Sequence, residues 1–355
     1  MTQEIEFYIE GSSALRPNSK RTLYVDGTAG GKFREGIDGE LSHWRPNRTE
    51  ERYRAGTSTE ICFKYLQLNK GIDYDLVINN HLDVDGVLSV FTLTHPTVAL
   101  NYRKVLIEAA EAGDFWAWAD GKALKVFQLL SLLFQKLQAS NISMNESYQR
   151  CFSLILRILQ NENDKSEAER ILYNQYALIE EGRIVREELN DRIVSFHVPK
   201  KTFLEDAEKF LRTAKFNEPI SQRLAFWPQV RNRQDAEKLQ LVSMGTGGGV
   251  HYELWIPGYC WADTKGLWRP SGLMPNENMG ELSRLEWGQL SQIVADLNAQ
   301  ELGGCHWDLF SGFDFGNTKN PRDFPIIVST VNKSDLHLAS RLPLGLVKNV
   351  FKGLI

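Results

Sequence analysis

The chain has 355 residues, 42% apolar and 24% charged, a balance suited to a soluble globular protein with room for two or three domains. Its 41 basic and 45 acidic residues are well mixed and leave a formal net charge of -4, which argues against a polybasic arm or bulk-charge binding to long duplex nucleic acid. The start, MTQEIEFYIEGSS, lacks the basic opening and apolar core of a secretory signal, and the longest greasy run, VFQLLSLLF, is too short to cross a bilayer, so a cytoplasmic protein without a membrane partner is expected. Cys62, Cys151, Cys260 and Cys305 are scattered, without zinc-ligand spacing, and read as buried reduced thiols.

In chain order, RTLYVDGT reads as a strand ending in a turn, and TSTEICFKYLQL as a helix capped by Thr57 or Ser58. DYDLVINN is a second strand, whose unbroken run Leu76, Val77 and Ile78 suits a parallel strand buried on both faces. A helix is expected from near Val87 to just before Pro96, then another over YRKVLIEAAEAG with Gly113 as its stop. KALKVFQLLSLLFQKL and SYQRCFSLILRIL are helical, and a charged helix follows, opened by Ser166 and Glu169 at capping-box spacing. RIVSFHV is a short strand, and a second capping box, Thr202 with Glu205, opens TFLEDAEKFLRTAKF.

The last third is richer in Gly, Pro and Trp. LQLVSMGTGGGVHYELWIPG reads as two strands around a glycine turn, SRLEWGQLSQIVADLNAQEL as an amphipathic helix, FPIIVSTV as a strand and LGLVKNVFKGLI as a closing helix. The fold class is therefore α/β: a parallel-sheet N-terminal domain over residues 1–138, a helical segment over 139–215, and a smaller α+β C-terminal domain over 216–355.

The chemistry concentrates in NNHLDVDGVLS, residues 79–89, where His81, Asp83 and Asp85 alternate and Gly86 follows, directly after an apolar strand. Alternate residues in an extended segment share one side, so an imidazole and two carboxylates converge there. An EF-hand is a poor match, because its twelfth position would be Thr92 and its first a histidine. A polar turn that starts a helix remains the plain structural reading, since aspartate caps backbone donors well.

Two families share parts of this motif. LDVDGVLS resembles the first motif of the haloacid dehalogenase phosphatases, which implies Asp83 as a phosphate-accepting nucleophile and Asp85 as the acid. H-x-D-x-D-G-x-x-S, on His81, Asp83, Asp85, Gly86 and Ser89, resembles the first motif of the DHH (Asp-His-His) phosphoesterases. The chain contains no Asp-His-His; Asp26, at the end of RTLYVDGT, and the loop LSHWRPNRT are similar to that segment in rearranged order, with His43 as the substitute. Asp114, in AAEAGDFWAW, is similar to a later aspartate of the family.

The DHH resemblance implies a metal-dependent hydrolase in which two cations, Mn²⁺ or Mg²⁺, activate a hydroxide for attack on a phosphoester. It implies His81, Asp83, Asp85, Asp26 and Asp114 as metal ligands, and His43, Arg45 or Arg48 as stabilisers of developing charge. Thr28, Asn47, Ser89 and His251 are the expected substrate contacts; His251 follows a glycine run that otherwise reads as a hairpin turn. The expected partner is a small phosphoester or a short oligonucleotide, with a homodimer left open. A third alternative is a binding protein on a DHH-like fold without turnover.

Overall fold

A computed structural model describes residues 5–12, 15–44, 46–69, 73–160, 167–203, 207–216, 218–224, 226–258, 262–263, 284–309 and 326–354. The chain divides into two compact units, Met1–Glu169 with Ala262–Leu267, and Arg170–Trp261 with Trp268–Ile355. The architecture is α/β.

The first unit is built on four parallel strands, β1 (Glu6–Ile9), β2 (Thr22–Val25), β3 (Gly39–Leu41) and β4 (Leu76–Asn79), in the spatial order β1-β4-β2-β3. The central strands TLYV and LVIN are buried along their whole length, as continuous apolar runs in a parallel sheet covered on both faces are; Tyr8, Ala29 and Phe33 pack against Tyr24, Leu76 and Ile78. Strand β3 (GEL) carries no comparable apolar run, and in the edge strand β1 only Ile9 of Phe7, Tyr8 and Ile9 is fully buried.

Helix α1 (Ser58–Leu68) starts at Thr57, whose side chain accepts the Glu60 N–H. Helix α2 (Val84–Thr94) begins one turn earlier than expected, because Asp83 caps it by accepting the Gly86 N–H. It ends before Pro96, the first residue of α3 (Pro96–Asn101). Helix α4 (Arg103–Phe115) runs through Gly113 and closes on Trp116 in the left-handed region at φ 50°. Gly113 is not a stop: a Cβ there would lie 2.8 Å from Val84 Cβ, so the missing side chain lets α4 approach α2 closely. Helices α5 (Gly121–Gln138) and α6 (Met144–Gln160) complete the unit; α6 buries Tyr148, Cys151, Phe152, Ile155, Ile158 and Leu159 on one stripe.

The second unit begins in α7 (Glu167–Glu180) and carries a six-stranded mixed sheet: β5 (Val185–Glu188), β6 (Ile193–Val198), β7 (Leu239–Gly245), β8 (Val250–Trp255), β9 (His306–Leu309) and β10 (Ile326–Val331), ordered β5-β6-β7-β8-β10-β9. Strands β6 and β7 are parallel and the other pairs antiparallel. The glycine run closes the β7–β8 hairpin, where Gly245 pairs with Val250. Short helices α8 (Ile220–Arg223) and α9 (Pro228–Asp235) precede the hairpin. Helices α10 (Arg284–Gln300) and α11 (Leu344–Lys352) contribute Leu290, Leu297, Val347 and Phe351 to a core with Leu241, Leu254 and Trp307.

The helix expected over TFLEDAEKFLRTAKF is replaced, in its described part, by a single 3-10 turn at Ala207–Lys209. Thr202 Oγ1 instead donates back to the Pro199 carbonyl. Arg45, Cys260 and the capping residues Ser166 and Glu205 lie outside the described residues. Cys62, Cys151 and Cys305 are buried free thiols. Among the described residues no helix is long and apolar enough to cross a membrane.

Candidate metal centre

The C-terminal ends of β2, β3 and β4 lie on one edge of the parallel sheet, where loops leaving an α/β sheet usually build a site. Asp26 follows β2 directly and takes φ 47°, a left-handed conformation that aspartate tolerates better than most residues. Its Oδ1 accepts the Trp44 Nε1–H at 3.0 Å. Past β3 comes His43, with Nδ1 2.7 Å from the Gly56 carbonyl. That contact makes Nδ1 the protonated donor and leaves Nε2 facing inward.

His43 Nε2 lies 3.6 Å from Asp26 Oδ1, 3.5 Å from Asp85 Oδ2 and 3.3 Å from Asp114 Oδ2, with all four side chains fully buried. Asp114 comes from the last turn of α4 and Asp85 from the first turn of α2. Asp85 also accepts the Ser58 and Thr59 N–H groups at 2.7 and 2.8 Å, so it ties the start of α1 to the site.

The second group forms on the other side of Asp26. His81 Nε2 is 3.1 Å from Asp26 Oδ2 and 2.9 Å from Asp83 Oδ2, and its side chain is 28% exposed. Its Nδ1 meets Asn80 Oδ1 at 2.7 Å. Tyr148 of α6 donates to the His81 carbonyl at 2.6 Å and accepts from Asn79 Nδ2, so α6 holds the 79–83 loop in place. The ligand atoms of Asp26, His43, Asp85 and Asp114 all lie within 4.8 Å of one another, and so do those of Asp26, His81 and Asp83. Asp26 belongs to both sets.

Electrostatics follow from burying several carboxylates together. Burial acts most strongly on His43 and lowers its pKa, yet Asp114, Asp85 and Asp26 outweigh it and carry the imidazole up to about 9. The same opposition, with Asp83 and Asp26 prevailing, raises His81 well above its ordinary value. Burial and then Asp26 push Asp85 up to about 7. Protons on these groups offset negative charge that a cation could neutralise instead.

The donor set of carboxylate oxygens and imidazole nitrogens suits divalent cations such as Mn²⁺ or Mg²⁺. Gly86 is fitted to it: a Cβ would lie 2.3 Å from Asn79 Nδ2, 2.9 Å from Asp26 Oδ2 and 3.0 Å from Asp83 Oδ1. The first unit thus contains a buried acidic and histidine cluster able to bind a metal ion.

The structure brings together Asp26, His43, His81, Asp83, Asp85 and Asp114, and moves His43 from charge stabiliser to ligand position. Arg48 is engaged elsewhere, with Glu35 at 3.3 Å, Glu40 at 3.8 Å and the Phe33 ring at 4.7 Å. Asn47 donates to Asp263 Oδ2 and accepts from the Thr49 N–H. Ser89 is buried against Thr59 between α2 and α1, which makes it a packing hydroxyl and not a presented substrate contact. His251 is a fully buried residue of β8 in the second unit, 3.0 Å from Thr330 Oγ1. Thr28 lines a small crevice with Glu10, Gly27, Asn79 and Asn80, beside Asp26. Trp44 and Tyr148 support the cluster without having been singled out; Trp44 had a signal in adjoining His43, whereas Tyr148 looks like any aromatic on an apolar helix face.

Neither the curated proteins nor the solved structures contain a match to this chain. A family match does exist, to DUF6687, described as a family of unknown function, and it spans residues 12–214, which include every residue of the acidic and histidine cluster. Since the match covers more than half of the sequence, the chain belongs to the DUF6687 family.

Proposed function

We propose that the first unit is a DHH-like phosphoesterase site that holds two divalent cations, Mn²⁺ or Mg²⁺, and hydrolyses a small phosphoester or a short oligonucleotide in the cytoplasm. The observation that carries this reading is the sharing of Asp26 between two ligand groups, one with His43, Asp85 and Asp114 and the other with His81 and Asp83. Divalent cations held by these two groups would supply Lewis-acid neutralisation of phosphoryl charge and an activated water nucleophile.

The chain's own groups hold and orient. Asp26, fixed by Trp44, presents one oxygen to each side. The Gly56 carbonyl and Asn80 Oδ1 set the tautomers of His43 and His81, so that each Nε2 is the ligating atom. Thr28 and Asn80 line a small crevice next in sequence to Asp26, and this reading takes them as the groups that meet the ester at its edge. In the net reaction water adds to phosphorus and the P–O bond to the leaving alcohol breaks. A nucleophilic role for Asp83 has less support, because its Oδ1 accepts the Gly86 N–H and its Oδ2 contacts His81.

The test is hydrolysis of bis(p-nitrophenyl) phosphate, p-nitrophenyl phosphate and a short oligonucleotide by the full chain with Mn²⁺ or Mg²⁺. Turnover that requires the cation and falls about 1,000-fold in Asp26→Asn is the expected result, on the scale of several kcal/mol of lost charge stabilisation. A protein that binds the cations yet cleaves none of these esters would sink the reading.

A further inference from the structure

A cavity of about 400 Å³ lies wholly within the second unit, in the size range of small-ligand sites. Leu211, Leu302, Leu338 and Ala339 make part of its lining apolar, and Arg212, Arg341 and Glu208 are its charged lining residues. Leu302 is 67% exposed and gives the cavity an accessible apolar wall.

The backbone is shaped around both arginines. Arg212 adopts φ 66°, a conformation that costs a non-glycine residue energy, and is held there by its N–H donating to the His337 carbonyl at 2.9 Å. Arg341 packs on Gly303, itself at φ 82°, where a Cβ would lie 3.2 Å from the guanidinium carbon. Among the described residues neither guanidinium has a carboxylate partner. The nearby carboxylates are engaged by other groups: Glu208 by Lys200 and the Gly247 N–H, and Glu301 by Ser340 Oγ, the Trp307 indole and the Arg341 backbone N–H. The glycine turn is not the anion receptor, since the Gly248 N–H is also taken, by Thr246 Oγ1.

We infer that this cavity binds a small phosphomonoester with an apolar body, its dianion held between Arg212 and Arg341 and its body against Leu211, Leu302 and Leu338. Two guanidinium groups match a phosphate dianion better than a single carboxylate charge, because each can give paired N–H donors. The inference is independent of the metal centre.

The test is calorimetric titration of the full chain, stripped of metal with EDTA, with phenyl phosphate, inorganic phosphate and benzoate. Saturable binding of phenyl phosphate at one site, tighter than that of the other two, is expected. Arg212→Gln and Arg341→Gln should each weaken it by at least about tenfold, the loss of one charge-assisted bond. Both side chains are exposed, so the variants should fold, as circular dichroism will check. Asp26→Asn should leave binding unchanged, which separates this site from the hydrolytic one. Absence of saturable binding, equal or tighter binding of benzoate, or affinity unchanged in both arginine variants would overturn the inference.

Discussion

Asp85 Oδ1 accepts the backbone N–H of Thr59 at 2.8 Å, and Oδ2 accepts that of Ser58 at 2.7 Å while lying 3.5 Å from His43 Nε2. With Thr57 capping Glu60, the first three N–H groups of α1 are satisfied. One carboxylate therefore serves both a helix start and the candidate metal site. Asp85→Ala should destabilise the protein by about 1–3 kcal/mol through the two buried donors it abandons, and should also weaken cation binding. Urea unfolding with and without Mn²⁺ separates the two effects: the metal-free variant is already less stable, and Mn²⁺ stabilises it less than it stabilises the parent. Unaltered metal-free stability would contradict the capping role.

The shared carboxylate makes a sharper prediction about stoichiometry. Asp26→Asn should abolish binding of both cations, whereas His43→Ala and His81→Ala should each leave one. Elemental analysis after dialysis against Mn²⁺ reads the outcome directly. Two equivalents retained in Asp26→Asn would mean that Asp26 bridges nothing.

Much of this site was legible because its parts obey local rules. His81 and Asp83 alternate in the extended loop after a strand and meet as expected, whereas Asp85 lies in the first turn of α2 and joins His43 instead of them; Asp26 ends a strand whose apolar run announces it. Asp114 is picked out only by the family resemblance of AAEAGDFWAW; Gly113 beside it signals a helix end, and only the contact with Val84 shows that the helix runs on through Asp114. The roles of His43 and Arg48 depended on three-dimensional placement. Both stand in one polar loop, yet one turns in to three aspartates and the other out to Glu35 and Glu40. Strand β3 is three residues long and too short for a pattern to register; β1 is as long as β2 and β4 but is an edge strand with only Ile9 fully buried, and both are defined by their parallel pairing.

Gly86→Ala tests how tightly the cluster is built. The added methyl would stand 2.3 Å from Asn79 Nδ2 and 2.9 Å from Asp26 Oδ2, so Asn79 or the start of α2 must shift. A cost of about 1–3 kcal/mol is expected from such overpacking, together with a roughly 10- to 100-fold loss of Mn²⁺ affinity, as when the support of a metal ligand is disturbed. Affinity equal to the parent's would mean that the ligands tolerate the displacement.

Acid should weaken the second unit through His337. Its ring is buried, with Nε2 3.1 Å from the Glu218 carbonyl, Nδ1 3.3 Å from Ser329 Oγ and its centroid 4.7 Å from that of His251, while Glu253 lies on the same strand as His251. Burial, reinforced by His251 and opposed by Glu253, pushes its pKa down from 6.5 to about 4. Below about pH 6.5 the unfolded chain takes up a proton that the folded chain refuses until about pH 4, so the stability contribution is complete above 6.5 and is lost on acidification across that window. The full effect is on the order of 3 kcal/mol. Glu253, held down to about 2 chiefly by His251 and Ser221 against its burial, adds a further loss only below its ordinary value of 4.5. Denaturant unfolding at a series of pH values should therefore show the parent losing stability relative to His337→Gln between about pH 6.5 and 4; carboxyl groups raised to about 7, such as Asp85, act in the opposite direction in both proteins and cancel in the comparison. If the parent and the variant fall in parallel between those values, His337 is not the group that makes the fold acid-sensitive.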